Sequence, residues 1–180
     1  MKNGIMMLKD KTGDILKIED IPDRTKAYTQ FGGVRSELSR IVITEQVFDI
    51  AQHYFKSGVE FDEENADWVI FPNFMLPKRW HHITERSPLM VVFPTHYPET
   101  PPIGFYLKGD IPDSPNGHFY TQAYHDADKA PIEAGWKWYC VYINPGTWMP
   151  RKYKGPLSWR SGDNLWTYMN LVKEVLSSGD

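Results

Sequence analysis

The side chain with most chemistry to offer is Cys140, the one cysteine among 180 residues. It reads either as a small buried hydrophobe or as a reactive thiol. A free thiol ionises near a pKa of roughly 8.5, so a few per cent is already thiolate at neutral pH. One cysteine excludes an intrachain disulfide framework and any multi-cysteine zinc site. His125 and Asp126 stand together in the run His125-Asp126-Ala127-Asp128, where an imidazole serves as a loop hydrogen-bonder or as a general base. His81 and His82 resemble a metal pair only superficially, because neighbouring residues on a strand point to opposite faces. His118, in Asn116-Gly117-His118, belongs to a turn, as does Asn144 in Asn144-Pro145-Gly146. There is no glycine-rich phosphate loop, no Gly-x-Ser-x-Gly elbow and no His-Glu-x-x-His pair, so no cofactor or metal is implied.

The elements that must position these residues follow from periodicity. Residues 1–33 read as an extension or small hairpin, Met6–Leu8 against Ile15–Ile18 with a turn near Gly13, closed by Gly32-Gly33. The domain proper is expected over 34–180. Thr44 as N-cap and Gly58 as stop predict a helix over 44–57, with Val47, Ile50, Ala51, Tyr54 and Phe55 on one stripe. Three strands follow: Trp68–Phe71 ending at Pro72, Leu89–Phe93 ending at Pro94, and Ile103–Leu107 after Pro98, Pro101 and Pro102. Residues 108–135 read as one long loop, and Trp136–Ile143 as a short aromatic strand holding Cys140. Alternation puts Trp136, Trp138, Cys140 and Tyr142 on one side and Lys137, Tyr139, Val141 and Ile143 on the other. A last helix, capped by Ser161 or Asp163, carries Leu165, Met169, Val172 and Leu176 at helical spacing. Strands bracketed by helices make the class α+β.

Composition bounds the function. The 20 basic and 23 acidic side chains leave a net charge of -3, which argues against a protein built mainly to hold nucleic acid. The apolar fraction of 41% is enough for a real core. The long unbroken apolar stretches, Leu89–Phe93 and Trp138–Ile143, are far shorter than the roughly eighteen residues a membrane span needs. The N-terminus lacks an apolar signal region, so a cytoplasmic protein with no membrane partner is expected.

The run Phe93-Pro94-Thr95-His96-Tyr97-Pro98-Glu99-Thr100-Pro101-Pro102-Ile103-Gly104-Phe105 resembles the F-P-x-x-Y-P-x-x-P-P-x-x-F signature of ubiquitin-conjugating enzymes. In that family the active cysteine lies eight residues before the tryptophan of a W-x-P motif, and Cys140 stands so before Trp148-Met149-Pro150. An apolar helix after the cysteine loop matches Asp163–Ser177. The resemblance covers about residues 40–177 and implies the ubiquitin-conjugating fold: an N-terminal helix, an antiparallel meander, a cysteine loop and a C-terminal helix. The family's His-Pro-Asn has no counterpart, since Tyr124-His125-Asp126 stands in that region without Pro-Asn. Trp148 and Trp159 compete for the register of the tryptophan that precedes the helix, and 151–160 looks like an insertion. The short C-terminus resembles bacterial ubiquitin-conjugating-like proteins of antiphage (CBASS or ubiquitin-like conjugation) operons.

The resemblance implies an acyl carrier. Cys140 would take the C-terminus of a ubiquitin-like protein, or of a signalling nucleotidyltransferase, as a thioester and pass it to an amine, with an activating enzyme as a further partner. Asn144, His125 or loop N–H groups would then stabilise the oxyanion, and His125 or Asp126 would orient or deprotonate the amine. The rival expectation is an inactive adaptor that keeps the fold for binding. Tyr97, Pro98, Pro101 and Pro102 are expected to set a rigid turn. Trp148 and Trp159 are expected to brace the cysteine loop, and Arg151-Lys152-Tyr153-Lys154 to form a solvated loop.

Overall fold

The structure, a computed structural model, describes residues 35–54, 58–109, 119–120, 135–141, 143–144 and 146–178. The expected hairpin within 1–33, the Gly32-Gly33 break and His118 lie outside these residues. Helix α1 spans Glu37–Tyr54. It begins well before Thr44, because Ser36 supplies the cap: its hydroxyl accepts the Ser39 N–H at 3.1 Å. Thr44 is therefore a helix-interior residue. Gly58 does follow the helix, and its φ of 88° is one that a side chain rarely adopts.

Among the described residues six strands form one antiparallel sheet: β1 (Glu60–Phe61), β2 (Trp68–Met75), β3 (Arg86–Val92), β4 (Gly104–Lys108), β5 (Phe119–Tyr120) and β6 (Trp136–Cys140). Their order in the sheet is β1-β2-β3-β4-β6-β5. Strand β2 does not end at Pro72. Phe71 pairs with Leu89 but Phe74 with Ser87, so β2 carries one residue more than β3 there. Pro72 and Pro88 both sit in that bulge, where the ladder is already interrupted and a missing N–H costs little. The stretch expected as one long loop contains β5, which pairs Phe119 with Tyr139.

The second helix, α2, spans Leu165–Ser177. Neither Ser161 nor Asp163 caps it. Asn164 does: its side chain accepts the Trp166 N–H at 2.9 Å, and Thr167 closes a capping box. Asp163 is occupied elsewhere, its carboxylate accepting the Met149 N–H at 2.7 Å. Ser161 closes a short 3-10 turn, Ser158–Ser161.

Alternation along the strands divides the sheet into two apolar layers. Val69, Phe71, Leu89, Val91, Phe105, Leu107 and Tyr139 face α1 and α2, meeting Ile43, Val47, Ile50, Tyr168, Met169, Val172 and Leu176. Phe105 and Tyr139, partners in register, stack with ring centres 5.0 Å apart. The opposite face buries Trp68, Ile70, Met90, Tyr106, Trp136 and Trp138 as a second cluster. Burial on both faces explains why Trp68-Val69-Ile70-Phe71 is apolar throughout instead of alternating with polar residues. Among the described residues the architecture is α+β, two helices and an antiparallel sheet. No helix among the described residues is long and apolar enough to cross a membrane.

Candidate active site at Cys140

Cys140 is the last residue of β6 and lies opposite Gly104, the first of β4. Val141 extends the pairing by one bond, its N–H donating to the Ile103 carbonyl at 2.9 Å. As alternation required, Cys140 packs with the cluster of Trp136 and Trp138, while Tyr139 and Val141 turn toward the helices. The thiol is half-buried, and that burial pushes its pKa above the ordinary cysteine value.

Gly104 is required by this arrangement. A Cβ there would overlap the Trp138 indole and the Tyr139 carbonyl. The Gly104 carbonyl accepts the buried Tyr168 hydroxyl from α2 at 2.7 Å. Burial, with the neighbouring Cys140 next in weight, raises the Tyr168 pKa well above the phenolic range, so this hydroxyl stays a neutral donor. The strand end that carries the thiol is thus fixed from both faces, by an indole and by a phenol.

Asn144 lies on an exposed turn, where its backbone carbonyl accepts the Thr147 N–H at 3.0 Å and the Thr147 hydroxyl at 2.8 Å. No hydrogen bond joins its side chain to Cys140. His125 and Asp126 lie outside the described residues. His81 and His82 are exposed beside a 3-10 turn rather than on a strand, and the His81 Nε2 is 2.9 Å from the Leu76 carbonyl. Among the described residues no group of three His, Cys, Asp or Glu side chains could hold a metal.

The proline-rich turn after β3 is held from α1 and from Arg35 just before it. Arg35 donates to the carbonyls of Pro94 at 2.9 Å and Phe93 at 2.8 Å, and pairs with Asp67 at 3.1 Å. Burial lowers the Arg35 pKa, and Asp67 opposes that shift. The Ser39 hydroxyl donates to the Tyr97 carbonyl, and the buried Tyr97 hydroxyl donates to Gln46. Gln46 also accepts the Leu165 N–H at 2.8 Å, which ties the start of α2 to the same residue. Trp148 donates its indole N–H to the Pro98 carbonyl at 2.7 Å. Tyr97 is therefore structural, as expected, and Trp148 braces the proline turn.

The segment 151–160 is fastened to α1 by two carboxylates. Glu45 accepts the Tyr153 hydroxyl at 2.9 Å, the Leu157 N–H at 3.0 Å and the Trp159 indole N–H at 2.8 Å. Asp49 accepts the Trp166 indole N–H at 2.7 Å and pairs with Arg160. Arg151, Lys152 and Lys154 are exposed, as a solvated loop requires, but Tyr153 between them turns inward. Sequence reasoning missed Arg35, Glu45, Gln46 and Asp49. The available signal was two carboxylates one helical turn apart on a helix otherwise rich in apolar residues. No family model, curated protein or solved structure matches the chain.

Proposed function

We propose that the chain is a ubiquitin-conjugating-like acyl carrier working through Cys140. Its donor would be the C-terminus of a ubiquitin-like protein or of a signalling nucleotidyltransferase, and its setting bacterial antiphage defence. The observation that carries the reading is the half-exposed thiol at the end of β6, between the braced proline turn and the Asn144 turn. In the loading step a bond forms between the Cys140 sulfur and the donor's carbonyl carbon, the bond from that carbon to its leaving group breaks, and the thiol proton goes to the departing group or to water. In the transfer step a C–N bond forms, the C–S bond breaks, and the thiolate recovers a proton from the amine. A thiol of raised pKa is less often ionised, but its thiolate is more nucleophilic, with a Brønsted coefficient of roughly 0.4–0.5, so loading slows by less than the loss of thiolate. The same basicity makes Cys140 a poorer leaving group, which lengthens the life of a thioester in water.

A binding-only adaptor is the second reading, and the raised thiol pKa favours it, because burial here opposes ionisation. The two separate in one experiment. The protein is incubated with a ubiquitin-like protein bearing a C-terminal thioester and examined by intact-mass spectrometry. A carrier gains the donor mass at Cys140 and loses it to dithiothreitol. Cys140→Ser gives a reductant-resistant ester or nothing, and Cys140→Ala gives nothing. An undiminished adduct on Cys140→Ala overturns the carrier reading.

A further inference from the structure

Helix α1 is apolar on two sides. One side enters the core through Val42, Ile43, Val47 and Ile50. The other shows Leu38 (49% exposed), Ile41 (39%) and Phe48 (37%) to solvent. These residues lie on one stripe, with Glu37 at its start and Glu45 at its middle. Beside it, on the segment that Glu45 holds, stands Leu157, itself 43% exposed. Leu157 has a φ of 59°, a left-handed conformation unusual for a branched apolar residue. The Glu45 carboxylate fixes that conformation through the Leu157 N–H, so the leucine is held beside the stripe. Isolated exposed apolar residues need no explanation, but four gathered on one surface mark an interaction site.

The charges around this surface are divided by position. Near the start of α1, where Glu37 is already paired with Arg40 at 3.4 Å, stand the exposed Glu63 and Glu64, on the turn that Asp62 and Asp67 join to Arg35. On the held segment itself stand the exposed Arg151, Lys152 and Lys154. A partner of one sign would satisfy only one end. A second copy turned by a two-fold axis sets the acidic end of each against the basic end of the other, with the apolar stripes between them.

We propose that this face of α1, with Leu157, is the contact between two copies of the chain in a two-fold symmetric dimer. Two-fold dimers are the commonest closed assemblies, and their contact is a self-complementary patch of this kind. The proposal is independent of the Cys140 chemistry, so Cys140→Ala dimerises as the parent does.

Sedimentation velocity on the full chain tests it. The parent is expected at twice the chain mass. Phe48→Asp and Leu157→Asp should give the single-chain mass with an unchanged circular-dichroism spectrum, and Met75→Asp, at an exposed apolar residue on β2, should leave the dimer intact. Reversing Glu63 and Glu64 to Lys, or Lys152 and Lys154 to Glu, should each raise the dissociation constant about tenfold or more. Combining the two reversals in one chain should restore the parent value, which general stickiness would not do. A single-chain mass up to roughly 100 µM, well above the micromolar range, overturns the proposal. So does a dimer untouched by Phe48→Asp, or a failure of the double reversal to restore association. Association appearing only with an added protein would assign the surface to a different partner and likewise overturn it.

Discussion

At the scale of single residues, Cys140 and Glu45 carry opposite lessons. Burial holds the Cys140 thiol protonated to higher pH than in the unfolded chain. The alkylation rate with iodoacetamide should therefore rise through a midpoint above that of an unfolded-peptide thiol, and a midpoint at or below the ordinary value would remove the effect of burial. The linked effect on stability has a fixed sign. The unfolded chain ionises its thiol first, so this group withdraws stability as pH rises through the ordinary thiol range and contributes no pH dependence below it. Glu45, by contrast, is a carboxylate that accepts from three donors. Glu45→Ala leaves the Trp159 indole N–H and the Leu157 N–H without this acceptor and should cost about 1–3 kcal/mol in urea unfolding. Chain alternation was enough to assign the face of Cys140. Locally only its spacing of one helical turn from Asp49 marked Glu45, because its partners are Tyr153, Leu157 and Trp159, more than 100 residues away in the chain.

At the scale of elements, the ends proved less legible than the interiors. The stripe Leu165, Met169, Val172 and Leu176 follows from spacing alone, and all four are buried. The cap does not, because Ser161, Asp163 and Asn164 are all competent acceptors and only the path of the chain selects one. Asp163 goes to Met149, which leaves Asn164 to the helix. Asn164→Ala should cost about 0.5–2 kcal/mol by thermal or urea unfolding, and Asp163→Ala should leave the helix cap in place. Strand β2 shows the same limit. Pro72 marks an interruption truthfully, but whether that interruption ends a strand or bulges it depends on the partner strand, and here β3 carries Pro88 at the same level. Gly104→Ala is expected to be the most damaging small substitution at the candidate site, because the added methyl meets the Trp138 ring and a backbone carbonyl. Loss of stability together with a changed alkylation rate at Cys140 would verify that Gly104 seats the thiol-bearing strand. An alanine variant of parental stability would refute it.

At the scale of the whole molecule, the sheet is buried on both faces. The helix-side layer and the tryptophan-rich layer meet across the same strands, so residues one step apart in sequence serve different cores. Phe71→Ala and Trp138→Ala should each cost about 3–5 kcal/mol, one on each face. A cost for Trp138→Ala near the 0.5 kcal/mol typical of surface sites would mean that the second cluster is not a core.

The sequence by itself determined the α+β class, the amphipathic last helix, the side of β6 on which Cys140 lies and the structural use of Tyr97. These follow from local rules: period, alternation and the limits that proline sets on the backbone. Only the tertiary structure decided which acceptor caps α2, that β2 continues past Pro72, that Gly104 admits no side chain, and that α1 grips both the proline turn and the 151–160 segment. Those outcomes depend on groups brought together across the chain, such as Gln46 with Leu165 and Asp49 with Trp166, separated by 119 and 117 residues. A hydrogen bond of that span leaves no periodic trace, because its energy depends on distance in space and its partners share no local pattern.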